Sequence, residues 1–338
     1  MKQNALDDVK LLLPTDNKSH KRVEESPTTL GFKVYVITLM TFMWTGYTLL
    51  VRHTRSSVPK ENMYSAPTVV FMAELSKLVI STGMLLNDNK WSFTHSWIVM
   101  KREFIHKPTE LLKMSVPSIT YAIQNNLDFI ASVESACRCL SMVTTALFMM
   151  FFLGRHFSFR RWVAIFLLFV GVAAVQLNNI DESSRSKSTE NPFVGLVAVL
   201  STCVTAGFAG VYFEKMLKDG TSTSLWIRNI QMYTCGIIST SIGLFAKDSE
   251  HLRTKGFFWG YSNEVCCVIG FLSVGGIYIS LVMKYLDNLH KSFASAISII
   301  LVVILSVMFF DGISLGVYFV LGSMIVCSAV LLYNSVNE

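Results

Sequence analysis

Several residues that carry charge or hydrogen-bonding groups stand inside long apolar stretches of this chain. Glu74 and Lys77 are three apart and so share one face of a helix. A charge at the centre of a membrane-crossing helix costs about 2.5–3.5 kcal/mol on insertion scales, so the pair is not expected to face lipid. It forms either a structural ion pair locking two helices or part of a binding site. Tyr121, Gln124, Asn125 and Asp128 fall at i, i+3, i+4 and i+7, one polar stripe on an apolar segment. One buried amide is ordinary glue between helices, whereas a whole stripe points to a cavity. Asn229 and Tyr233 share a face further on, beside Trp226, which reads as an interfacial anchor, and Arg228, which reads as a snorkelling charge. Ser280, Lys284, Asp287 and Lys291 have the spacing of a single helical stripe, below the small residues Ser273, Gly275 and Gly276. Lys284 and Lys291 are either orientation signals or phosphate ligands at a cavity mouth.

These groups suit an anionic, aromatic, hydroxyl-rich solute. Lysine takes phosphate, tyrosine stacks a base, and amides and serines bind hydroxyls and base edges. A nucleotide-sugar has all three parts.

The elements that must position these residues are apolar stretches long enough to cross a bilayer. The 338 residues are 52% hydrophobic and only 15% charged, with a mean hydropathy of +0.47. A water-facing surface needs more charge than that. Ten stretches, from 34–51 to 315–333, use up nearly the whole length at about twenty residues per crossing. The expected organisation is a disordered cytoplasmic tail over 1–31, a five-helix unit over 32–177, a linker over 178–192 and a second five-helix unit over 193–335. Between the second and third stretches, residues 90–107 mix Trp91, Trp97 and Phe104 with Lys101 and Arg102, the pattern of an amphipathic segment at the interface. The tail lacks an apolar core of signal-peptide length.

The net charge of +6 sits mostly in loops, as orientation signals do, and does not point to nucleic acid. With the amino terminus in the cytoplasm, about sixteen Lys and Arg fall on the cytoplasmic side against about eight opposite, so both termini are expected there. The sequon at Asn17 would then stay unmodified.

An internal repeat is visible at the ends of the two units. The run 146–176, broken by Gly154-Arg155-His156-Phe157-Ser158, parallels 302–332, broken by Phe310-Asp311-Gly312-Ile313-Ser314. Five crossings per unit is an odd number, so the two units must insert with opposite orientation. That is a common architecture of secondary transporters, with the substrate at the repeat interface. The expected fold is therefore an all-α integral membrane protein, ten transmembrane helices in two inverted five-helix repeats.

Other chemistries find little support. The seven cysteines show no zinc spacing and read as buried small hydrophobes. The seven histidines fall outside the centres of the stretches, with no paired carboxylates or nucleophile motif beside them. No enzyme, metal or cofactor is expected.

Longer strings resemble a known family. Gly207-Phe208-Ala209-Gly210-Val211-Tyr212-Phe213-Glu214-Lys215, Ser224 through Tyr233, Ser273-Val274-Gly275-Gly276-Ile277-Tyr278 and Lys284-Tyr285-Leu286-Asp287-Asn288 resemble the Golgi nucleotide-sugar transporters of the CMP-sialate, UDP-galactose and UDP-N-acetylglucosamine branch. In the first unit, Glu74-Leu75-Ser76-Lys77 and Ser115-Val116-Pro117 through Asn126 resemble the same branch. The resemblance implies exchange of a cytosolic nucleotide-sugar, UDP-galactose or UDP-N-acetylglucosamine, for a lumenal nucleoside monophosphate. It implies a Golgi membrane location, the lipid bilayer as a partner, and homo- or hetero-oligomers with related transporters or glycosyltransferases. The family's nucleotide pocket maps to Tyr121, Gln124, Asn125, Asn229, Tyr233, Ser280 and Lys291.

One segment departs from the family. After the third stretch, 132–147 is several residues shorter than usual and lacks a phosphate-contacting lysine. Either Arg138 substitutes for it with a longer guanidinium fork, or the pocket is damaged and the chain is a non-transporting member with a structural or partner-binding role.

Overall fold

The structure is a computed structural model that describes residues 29–59, 62–131, 134–177, 192–218, 223–309 and 316–335. The side chains of 30, 122–131, 134–139, 176–177, 192–196, 198–199, 247 and 251 lie outside the description. The sequon, most of the expected tail and linker, and the turn at 310–315 therefore lie outside the described residues.

Every regular element among the described residues is a helix: α1 Leu30–Ser57, α2 Ala66–Asp88, α3 Phe93–Lys101, α4 Pro108–Ala131, α5 Glu134–Leu153, α6 Phe159–Leu177, α7 Pro192–Lys218, α8 Leu225–Lys247, α9 Ser249–Lys255, α10 Asn263–Tyr285, α11 Asn288–Phe309 and α12 Val317–Asn334. A wide π turn over Arg102–His106 joins α3 to α4. Helix is the expected form, because lipid offers no partner for an open backbone N–H or C=O. Among the described residues five helices, α1, α2, α10, α11 and α12, are long and apolar enough to cross a membrane. The other long helices, α4 to α8, run 19 to 27 residues. The shortened segment after α4 still forms the 20-residue α5.

Local signals account for several helix starts. Ser224 and Ser262 cap α8 and α10 by accepting the Trp226 and Val265 amides at 3.3 and 3.4 Å. Asp287 caps α11, its Oδ1 accepting the His290 amide at 2.8 Å. That cap corrects two sequence expectations. Helix α11 begins five residues before the apolar stretch at 293, and Ser280, Lys284, Asp287 and Lys291 do not form one stripe, because α10 ends at Tyr285. An aspartate that binds the amide three residues on starts a new helix more readily than it continues an old one.

The helices pack as a single bundle. Helix α1 lies against α10 and α11, α7 against α4 and α5, α8 against α2 and α4, α10 against α2, and α6 against α12. The α6–α12 contact brings two helix backbones close together. A Cβ on Gly171 would come within 3.0 Å of the Gly322 carbonyl oxygen and 2.9 Å of the Val326 nitrogen. One on Gly322 would come within 2.7 Å of both the Gly171 oxygen and the Val175 nitrogen. Around this contact Met149, Ile165, Leu168, Leu289, Phe293, Val326 and Tyr333 form the largest apolar cluster.

The segment between α2 and α4 has the expected amphipathic character, with Trp91, Phe93 and Trp97 exposed. Its Glu103 turns inward, where it is buried and receives the exposed Lys107 Nζ and Arg102 Nε, each at 3.1 Å. The cysteines depart from expectation: Cys203 is buried, but Cys266, Cys267 and Cys327 are exposed. A small soft side chain is compatible with a lipid-facing surface as well as a core.

Candidate functional site

Glu74, Lys77, Tyr121, Tyr233 and Lys291 line one cavity of about 550 Å³ between α1, α2, α4, α5, α7, α8, α10 and α11. Gln124, Asn125 and Arg138 lie in helix stretches whose side chains are outside the description. Asn229 and Ser280 are fully buried and bond one another, Asn229 Nδ2 donating to Ser280 Oγ at 2.8 Å. Lys284 turns to the ring of Tyr285, 5.5 Å from its centre. None of these three is among the residues lining the cavity.

The Glu74–Lys77 pair is close, Nζ to Oε1 2.5 Å, and both side chains are largely buried. Two glycines make room for it. A Cβ on Gly236 of α8 would sit 2.8 Å from Glu74 Oε2, and one on Gly276 of α10 would sit 2.7 Å from Lys77 Cδ. The pair therefore stands where α2, α8 and α10 converge. Lys77 Nζ also lies 4.8 Å from the centre of the Tyr233 ring. A cation thus lies over one face of this ring.

At one end of the bundle a charged cluster ties three connections together. Arg155, in the turn after α5, lies with Nη1 3.0 Å from Asp287 Oδ2 and Nη2 3.7 Å from Glu214 Oε1. Gly154 takes the positive φ of +63° that this tight turn requires. Glu214, fully buried on α7, also receives Lys218 Nζ and the Asn288 amide, each at 2.8 Å. Lys218 donates as well to the Leu286 carbonyl. Burial alone would raise the Asp287 carboxyl, but hydrogen bonds from His290 and the charges of His290 and Arg155 hold it well below the usual carboxylate range. Lys291 begins one turn into α11 from this cluster, its amide 3.4 Å from the Asp287 oxygen.

Arg228 does not snorkel. It is 2% exposed, and its Nη2 lies 2.7 Å from Glu110 Oε2, joining the start of α8 to the start of α4. The opposite end of the bundle is held mostly by hydroxyls. Thr54 meets Tyr64 Oη at 3.3 Å, Tyr261 Oη donates to Thr68 at 3.2 Å, and Ser65 donates to Asp248. Burial raises the Tyr261 phenol. On this rim His53 pairs with Glu264 at 3.8 Å, half exposed.

Sequence reasoning missed the aromatic wall of Trp44 and Tyr47, the hydroxyls Ser239, Thr240, Ser292 and Ser295, and the role of Arg155. The hydroxyls were findable: Ser239 and Thr240 lie six and seven residues beyond Tyr233, and Ser292 and Ser295 flank Lys291 by one and four.

A sequence profile of nucleotide-sugar transporters matches residues 28–334. UDP-galactose translocator 1 of Caenorhabditis elegans is 53% identical, over 98% of this chain and 97% of its own. The UDP-N-acetylglucosamine transporter of Mus musculus is 36% identical, over 90% and 95%. The UDP-galactose translocator of Homo sapiens is 35% identical, over 85% and 73%. A protein of known crystal structure matches with a TM-score of 0.61 at 10% identity, over 91% of this chain and 98% of its own, a likeness of fold alone. An all-helical chain with several membrane-length apolar helices and a full-length profile match is a multi-pass membrane transporter, not an enzyme, and belongs to the nucleotide-sugar transporter family.

Proposed function

We propose that the protein exchanges a cytosolic UDP-sugar, UDP-galactose or UDP-N-acetylglucosamine, for a lumenal nucleoside monophosphate across the Golgi membrane. The observation that carries this reading is the cavity, which combines Lys291, three tyrosines, several hydroxyls and the Glu74–Lys77 pair within about 550 Å³. Lysine answers the phosphates, and the hydroxyl and carboxylate groups answer the sugar. The curated relatives, named for UDP-galactose and UDP-N-acetylglucosamine, favour a uridine nucleotide.

Exchange requires that the cavity open to each side in turn. Ten crossings in two inverted halves supply the two-fold relation for that motion. The packing supports this arrangement: exchanging α1 with α7, α2 with α8, α4 with α10, α5 with α11 and α6 with α12 carries each main helix contact onto another main contact. Both termini then lie in the cytoplasm, and the Arg155–Asp287 cluster closes the cytoplasmic end.

Counterflow tests the reading. Purified protein in vesicles preloaded with UMP, CMP or GMP is offered UDP-galactose and UDP-N-acetylglucosamine outside. Uptake driven by UMP is expected; no uptake with any of the three removes the exchanger reading and favours a structural role.

A further inference from the structure

The two ends of the cavity differ in hydrogen-bonding character. Thr240 Oγ1 gives its proton to its own helix, 2.8 Å from the Gly236 carbonyl and 3.1 Å from that of Ile237. Ser239 Oγ does the same, 3.0 Å from the Gly236 carbonyl. A hydroxyl whose hydrogen is committed to the backbone presents only lone pairs to the cavity. The Glu74 carboxylate, packed against Gly236, is an acceptor too, and it is the one carboxylate among the described lining residues.

The lone pairs of Ser239, Thr240 and Glu74 match the O–H donors of a polyol better than phosphate oxygens, which are themselves acceptors. Trp44 and Tyr47 of α1 line the same cavity with flat apolar surface suited to the C–H face of a sugar ring. Lys291 has the opposite character, a compact cation with three protons to give and no acceptor. Along α8 the seven residues from Tyr233 to Thr240 rise about 10 Å, so a phosphate group and a hexose can occupy separate levels. Lys77 stands between the levels, bonded to Glu74 and lying over Tyr233.

We propose that the acceptor pole of Glu74, Ser239 and Thr240, walled by Trp44 and Tyr47, receives the hexosyl end of the substrate through its hydroxyl protons, with the phosphates toward Lys291. The assignment rests on the reading of the protein as a nucleotide-sugar carrier. A nucleoside monophosphate held with its phosphate toward Lys291 has no hexosyl group beyond that phosphate to reach this pole, so the pole separates the two substrates of the exchange.

The test is counterflow by the full-length protein in vesicles, with UMP, with a UDP-hexose, and with UDP-hexoses in which one hydroxyl is replaced by fluorine. Fluorine keeps the size and removes the donor. In Thr240→Val and Glu74→Gln the ratio of UDP-hexose to UMP uptake is expected to fall about tenfold, the scale of one lost hydrogen bond in a closed site. At least one fluorinated sugar should be carried poorly by the unaltered protein and with smaller discrimination by Thr240→Val. A UMP-dependent rise in melting temperature identifies folded variants, and Thr240→Val, which conserves shape, decides the matter if Glu74→Gln does not fold. An unshifted ratio in folded Thr240→Val, or equal loss of UMP and UDP-hexose uptake, overturns the hexosyl pole alone. Absence of any exchange by the unaltered protein overturns the carrier reading and the pole with it.

Discussion

Arg155 Nη1 lies 3.0 Å from Asp287 Oδ2, joining the turn between α5 and α6 to the turn between α10 and α11. The two residues are 132 positions apart in the chain. Their carboxylate partner is buried, with 5% of its side chain exposed, whereas the guanidinium is 32% exposed. Removing one member strands a buried charge, which costs more than the pair contributes. Asp287→Asn is expected to lower the melting temperature of the purified protein by on the order of 5 °C. Arg155→Gln should fall in the same direction, and the double variant should lose less than the sum. Additive losses would remove the coupling.

The same carboxyl sets a pH expectation. Its folded-state titration is depressed by His290 and Arg155. A depressed carboxyl contributes stability that is complete above the unfolded value, about 3.9, and is lost as pH falls through the folded value. Thermal stability from this group should therefore be level from neutral pH down to about 5 and decline only in stronger acid. Melting curves of the unaltered protein and Asp287→Asn across that range should run parallel, and should converge below it.

Arg228 and Glu110 form a further ion pair at this end, 2.7 Å apart. Arg228→Met is expected to destabilise by about 2–3 kcal/mol, somewhat below the full cost of breaking a buried pair because Glu110 keeps Lys113 at 2.8 Å. The exchanged pair Arg228→Glu with Glu110→Arg should recover part of the loss in a thermal melt. No recovery would mean that packing at Arg228, not charge, holds α8 to α4.

Lys291 is the cation expected to meet phosphate. Charge-assisted hydrogen bonds contribute about 1.5–3 kcal/mol, so Lys291→Gln should weaken UMP binding roughly ten- to hundredfold. Titration calorimetry on the purified protein measures this directly. UMP affinity unchanged in the variant would take Lys291 out of the phosphate site.

Gly171 and Gly322 test the packing of α6 on α12. Gly171→Ala places its Cβ 2.9 Å from the Val326 backbone nitrogen, where no side-chain motion relieves the contact. Overpacking of this kind costs about 1–3 kcal/mol. Gly243→Ala, with open space around its Cβ, is the control and should be neutral or slightly stabilising. Equal stability of the two variants would show that the helices separate easily.

Much of the protein is legible without coordinates. Helix is the answer wherever twenty apolar residues run together, and Glu74–Lys77 needs only i,i+3 geometry, because both residues ride one helix. The strings around Gly207–Lys215 and Ser224–Tyr233 carry the family. Tertiary structure decided which faces meet. Asp287 reads as the continuation of a lysine stripe until its carboxylate is seen capping α11, which breaks the stripe and turns Lys291, Ser292 and Ser295 toward the cavity. Arg228 reads as a surface charge until Glu110, 118 positions away, is found beside it. That Lys77 lies over the Tyr233 ring is likewise visible only in the fold, because the two residues are 156 positions apart. Spacing along a chain fixes relations within a helix, because the backbone repeats; relations between helices come from packing of side chains distant in sequence, and Gly236 and Gly276 acquire their meaning only there.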